Sequence, residues 1–271
     1  MRALGIHRDV VAIVSSAWQT TAVLARGPGV EPEGLLIDSP LLPVELDALE
    51  KLANDAGFPV SGLLATHGDW DHLLGRLAFP DAALGVDERT AARLEQHVGA
   101  PQRELRDFDE QWYIERPTPL VLGDIQPLPV PGHLELGEVE FVVHDGAGHT
   151  ADGLVLWLPW AKVLICGDYL SPVELPAWDH GGSRALYRER LERLAPLVAQ
   201  SERVIVGHGG PLEPEHAQRI LDEDRAYLES AKPPRRGRRG QHSAAHARNL
   251  AAWDGPGHPR DPGHHDVPAP S

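Results

Sequence analysis

Apolar residues recur along this chain with two alternating periods. "VVAIVSSAWQTTAVLA" (residues 10–25) and "GLLIDSP" (34–40) are runs of β-branched and aliphatic residues that read as two early strands, with a Gly/Pro turn between them at residues 27–34. "PVELDALEKLANDAG" (43–57) switches to the helical period. Leu46, Leu49 and Ala53 share a face, Pro43 suits the first turn and Gly57 the stop. "VSGLLATH" (60–67) returns to a strand and runs into an acidic loop. "LGV" (84–86) and "DERTAARLEQHV" (87–98) give a short strand and a helix with Asp87 as N-cap. Residues 99–135 follow neither period; they are rich in proline and read as irregular. Beyond them "EVEFVVHDGAGHT", "GLVLWLP" and "KVLICGD" are strand-like. "RALYRERLERLAPLVA" is an amphipathic helix, "RVIVGHGG" a last strand and "PEHAQRILDEDRAYLES" a last helix. This alternation predicts an α/β fold whose sheets are covered by helices. No internal repeat is visible. The folded part is expected over residues 1–230, and the Pro/Gly/Arg/His-rich stretch 231–271 is expected to be a disordered tail.

The apolar runs share a second property: several end in a metal-ligand side chain. "LLATHGDWDHLLG" places His67, Asp69, Asp71 and His72 within six positions, His149 follows "VVHDGAG", Asp168 ends "VLICGD" and His208 ends "VIVGH". Imidazole and carboxylate are the usual protein ligands of zinc, and they also suit manganese and iron. Seven donors are too many for one tetrahedral ion and about right for two ions with one bridging carboxylate.

Charge and cysteine content narrow the setting. The formal net charge is -15. Residues 231–271 hold seven basic against three acidic residues, a net of +4, so the remainder, 18 basic against 37 acidic, stands at -19. Such a body is not built to coat nucleic acid. One cysteine, Cys166, excludes an internal disulfide framework and fits a reducing cytosol. No apolar run is long enough to span a membrane, and "VVAIV" is too short for a signal peptide. The expectation is a soluble, cytoplasmic protein with a small-molecule substrate.

"HGDWDH", "GHT", "GDY" and "GHG" occur in that order, each after a strand-like run, and in this the sequence resembles the metallo-β-lactamase-fold hydrolases. The resemblance covers roughly residues 9–230. It implies an αββα sandwich, two mixed β-sheets face to face with helices outside. It implies that His67, position 69 and His149 hold a first metal, that Asp71, His72 and His208 hold a second, and that Asp168 bridges them. The expected cofactor is a pair of divalent ions, zinc first, with manganese or iron as alternatives. The implied chemistry is hydrolysis of a small ester, thioester or lactone by a hydroxide shared between the ions, with Asp71 orienting it or taking a proton. A phosphodiesterase or nuclease of the same fold, and a non-catalytic metal-binding or sensory module, are the alternatives.

The sequence departs from the common His-x-His-x-Asp-His loop at Asp69, where the family carries histidine. Two divalent ions contribute +4 and three carboxylates -3, so a hydroxide brings the site to neutral instead of +1. Such a site is expected to attract anions less, to acidify its water less, and to accept manganese or iron more readily. Asp38 reads as a structural neighbour of the ligands, Trp70 as a packing residue and Cys166 as a small core residue. The best-known β-lactamase subclass carries cysteine where this chain has Asp168, so antibiotic destruction is not expected. His180 falls in a segment that often lines the cleft of this fold.

Overall fold

Strand alternation sorts the core into layers. The structure is a computed structural model that describes residues 1–29, 32–234, 236 and 239–253. The first sheet opens with β1 (Arg2–His7), β2 (Val10–Val14), β3 (Thr21–Arg26) and β4 (Gly34–Ile37), all antiparallel neighbours. The helix α1 (Pro43–Asp55) crosses to β5 (Val60–Leu64), which lies parallel to β4. The short α2 (Gly75–Ala78) leads to β6 (Ala83–Asp87). Then α3 (Glu88–Gln96) and α4 (Ala100–Trp112) lead to β7 (Ile125–Leu128), again parallel. The second sheet contains β8 (Gly132–Leu136), β9 (Val139–Asp145), β10 (Leu154–Leu158) and β11 (Val163–Ile165). The helix α5 (Arg184–Gln200) then returns the chain to β12 (Arg203–Val206), parallel to β11, and β13 (Gly210–Leu212) closes the edge. After it come α6 (Pro214–Ser230) and α7 (Arg239–Ala251). Both sheets are mixed and face each other, giving an αββα sandwich.

Side chains on successive positions of a strand point to opposite faces. In β3, Val23 and Ala25 join the layer between the sheets, while Ala22 and Leu24 meet Leu49 and Ala53 of α1. In β10, Leu154, Leu156 and Leu158 face inward, whereas Val155 packs with Leu191 and Leu194 of α5. Strands buried on both faces therefore appear as continuous apolar runs.

Four expectations change. Residues 10–25 form two strands, because "SSAWQT" makes a tight turn in which Trp18 and Gln19 take positive φ (52° and 55°). An additional edge strand, β1, precedes them; its largely exposed side chains gave no apolar signal. The stretch 99–135 is not irregular throughout, since it contains α4, β7 and most of β8. The start of α4 is masked by Gly99 and Pro101, and its buried stripe is narrow, with Leu105 and Phe108 as its large apolar members. The tail holds a helix: α7 is anchored by Asn249, whose Nδ2 donates to Pro176 O (2.6 Å) and Tyr227 Oη (2.8 Å). The rest of the expected tail beyond residue 253 lies outside the described residues. As expected, Asp87 caps α3, its carboxylate accepting from Arg89 N.

Candidate metal centre

The seven candidate donors sit at one edge of the sandwich, beyond the C-terminal ends of β5, β9, β11 and β12. The acidic loop is fixed at its start by Asp38, which accepts from Thr66 N (2.8 Å) and Thr66 Oγ1 (2.9 Å). A single 3₁₀ turn, Trp70–His72, then aims Asp71 and His72 at the centre. Ser39 ties the turn down, donating to Asp71 O (3.2 Å) and accepting from Leu74 N (3.0 Å). Trp70 is buried beside Leu41, Leu105 and Phe108, so its indole braces the loop.

The side chains form two triads that meet on Asp168. In the first, Asp69 Oδ2 lies 3.5 Å from His67 Nε2 and 3.7 Å from His149 Nε2. In the second, Asp71 Oδ2 lies 3.7 Å from His72 Nε2 and 3.3 Å from His208 Nε2. Asp168 reaches both: Oδ2 is 3.7 Å from His67 and 3.5 Å from His149, and Oδ1 is 3.3 Å from His72. Donors about 2.0–2.1 Å from one tetrahedral ion stand roughly 3.3 Å apart, so these separations suit groups sharing a cation. The buried atoms His67 Nε2, His72 Nε2 and Asp168 Oδ1 have no hydrogen-bond partner. Leaving such atoms unpaired costs about 1–3 kcal/mol each, a cost that a bound cation would offset. The residues present therefore fit a pair of divalent ions.

The opposite ring nitrogens are held by the protein. His149 Nδ1 donates to Ala177 O (2.8 Å), His208 Nδ1 to Trp18 O (3.3 Å), and His72 Nδ1 lies 3.1 Å from Asp38 Oδ2. Such partners fix the tautomer that leaves Nε2 free to ligate. In the metal-free state, burial alone would raise the carboxyls of Asp69, Asp71 and Asp168. The facing imidazoles more than offset it and hold all three below the usual carboxylate range. Conversely, burial would lower His72, His149 and His208, but the carboxylates raise them, His149 to about 9. The glycines of the motifs have steric causes. A Cβ at Gly207 would collide with Asp168 Oδ1, and one at Gly148, at φ +145°, with Tyr169 Oη.

A family profile described as the metallo-beta-lactamase superfamily matches residues 18–208, well over half of the chain. The chain belongs to the metallo-β-lactamase superfamily. An uncharacterised protein of Aquifex aeolicus (strain VF5) is 26% identical over 163 residues, 56% of this chain and 69% of that one. A metallo-β-lactamase family protein of Thermus thermophilus superposes with a TM-score of 0.62 at 22% identity, covering 83% of this chain and 81% of that one. TTHA1623, solved in a di-iron-bound form, superposes with a TM-score of 0.57 at 21% identity, covering 77% of this chain and 97% of that one. Membership in this superfamily supports a metal-dependent hydrolase in general, and no described helix is long and apolar enough to cross a membrane.

Within this metallo-β-lactamase sandwich, a cleft of about 470 Å³ opens over the two triads, a volume suited to a small molecule. Its walls include residues that no motif announced. Trp18 comes from the β2–β3 turn, Glu104 from α4, Glu174 and Leu175 from the loop after Asp168, and Arg248 from α7. Burial pushes the carboxyls of Glu104 and Glu174 up, and Glu174 Oε1 lies 3.9 Å from His208 Nδ1. His180 does line a neighbouring pocket, with Nε2 3.9 Å from Asp69 Oδ1. Cys166 is fully buried in the core under α5 and α6, where burial pushes its thiol far up. A further unannounced residue, Arg93 of α3, donates to Asp69. Only the apolar period of α3 was legible, and Arg93 lies on its polar side.

Proposed function

We propose that this chain is a binuclear metal-dependent hydrolase of a small ester, thioester or lactone. The observation that carries the reading is the meeting of two His/Asp triads on one carboxylate, Asp168. His67, Asp69 and His149 would hold one ion, Asp71, His72 and His208 the other, with Asp168 shared. Such a pair supplies Lewis-acid polarisation of the electrophile's oxygen and a water acidic enough to react near neutral pH. Asp71 serves as the catalytic residue: its carboxylate faces His72 and His208 on the cleft side and orients the attacking water or takes its proton. Trp18, Trp70 and Leu175 supply apolar surface to the cleft walls beside these polar groups. Zinc is the favoured ion, and Asp69 admits manganese or iron; the structural relative in a di-iron form supports that latitude. The single cysteine suits a reducing compartment, and we place the activity in the cytoplasm. Elemental analysis, followed by a panel of esters, thioesters, lactones and phosphodiesters, tests this reading. Turnover of a carbon ester or lactone is expected. Metal uptake with turnover of phosphodiesters alone would replace the substrate class, and metal uptake without any turnover would point to a sensory module.

A further inference from the structure

Asp69 stands where the common family motif carries a neutral imidazole, and the structure gives it a counter-charge. Arg93 Nη2 donates to Asp69 Oδ1 at 2.9 Å, while Oδ2 of the same carboxylate faces His67 and His149. The guanidinium is itself held in place. Its Nη1 lies 3.5 Å from Asp152 Oδ1, and Asp152 Oδ2 accepts from Thr90 Oγ1 (2.6 Å) and Gly68 N (3.2 Å). A Cβ at Gly68 would stand 2.5 Å from Arg93 Nη2, so the guanidinium passes directly over the loop backbone and glycine makes room for it. The Arg93 side chain is only 16% exposed, so water screens the pair weakly. Two divalent ions with Asp69, Asp71 and Asp168 sum to +1. Adding Arg93 restores +2, the sum for a site with histidine at 69 and no arginine. Asp152 contributes equally to either arrangement and leaves that difference unchanged.

We propose that Arg93 is a specificity-determining residue: it cancels the charge of Asp69 and so keeps the centre open to anionic substrates, small esters that carry a carboxylate, sulfate or phosphate group. The proposal rests on the binuclear reading. It reverses the expectation, drawn from the motif alone, that Asp69 makes the site less attractive to anions.

Inorganic phosphate is the probe, and its binding to the metal-loaded protein is measured by calorimetry. The chains compared are wild type, Arg93→Gln, Asp69→His and the double variant, each first shown by elemental analysis to carry two ions. Charge alone sets the order. Asp69→His binds tightest, wild type and the double variant bind alike, and Arg93→Gln binds weakest, with neighbouring ranks about five- to tenfold apart. Arg93→Lys keeps the charge and stays within about twofold of wild type. If Arg93→Gln does not fold, the Arg93→Lys and double variants carry the test, and both must match wild type. A double variant as tight as Asp69→His, or an Arg93→Gln equal to wild type, overturns the proposal. So does loss of an ion from Arg93→Gln, which would mean that the arginine holds Asp69 in place instead of cancelling its charge. A wild-type protein that takes up no metal overturns the binuclear reading instead.

Discussion

At the scale of single residues, Asp168 has the widest reach, because its two oxygens face imidazoles of both triads. Asp69 touches only the first triad. Asp168→Ala is therefore expected to weaken retention of both ions, whereas Asp69→Ala loses one and leaves the other on Asp71, His72 and His208. Dialysis against limiting zinc followed by elemental analysis reads the difference; two ions retained by both variants would contradict the assignment. The imidazoles add a pH dependence to the metal-free protein. Burial would lower His149, yet Asp69 and Asp168 raise it from 6.5 to about 9, and His72 and His208 move the same way. A raised folded value gives stability that is fully present below the unfolded value, about 6.5, and is lost as pH rises through about 9. The melting temperature of metal-free protein should thus fall across that window, while metal uptake strengthens because fewer protons must be displaced. A metal-free melting temperature that rises over the same window would contradict the account of these rings. The ligand-type residues were legible because each follows an apolar run and a glycine or the acidic loop. Arg93 and Glu104 were not, because each reaches the centre from a helix whose apolar positions report only packing, and Glu174 was not, because it lies in a loop with no pattern to mark it.

At the scale of elements, α4 and α7 share one reason for having escaped the sequence. Each is held by a few side chains spread among charged or small residues, too few to set a period. In α4 these are Leu105 and Phe108, which meet Trp70 and thereby brace the acidic loop. In α7 Asn249 is buried, and Trp253, just beyond the helix, stacks under Arg184 with Cζ 4.4 Å from the ring centroid. Arg236 pairs with buried Asp224 and ties the connecting segment to α6. Ala244, Ala245 and Arg248 of α7 wall the cleft and are not among the candidate metal donors, so under the proposed function α7 would meet the substrate and not the ions. Removal of residues 239–271 is expected to leave two ions per chain, to lower the melting temperature by a few °C for each ~1 kcal/mol of anchoring lost, and to raise KM more than it lowers kcat. An unchanged KM and melting temperature would show that the segment is a dispensable tail, as its composition alone suggests.

At the scale of the whole molecule, the sandwich explains why donors spread from position 67 to position 208 can meet. Two sheets packed face to face bring the ends of β5, β11 and β12 to one edge, and the bridge between Thr20 and His208 joins the sheets there. Continuous apolar runs made the central strands legible, since they are buried on both faces. The edge strands β1, β7 and β8 were not, since an edge strand is half solvated and tolerates residues such as Pro127. The strongly acidic body and the restored charge at Asp69 are compatible, because the first acts at long range and is screened by salt while the second acts inside a cleft. Whether this edge holds two ions is read from the metal content of the full chain after loading with zinc, manganese or iron and removal of excess. Two ions per chain are expected with the preferred metal, and a chain that retains none under any of these loadings would contradict the account at its root.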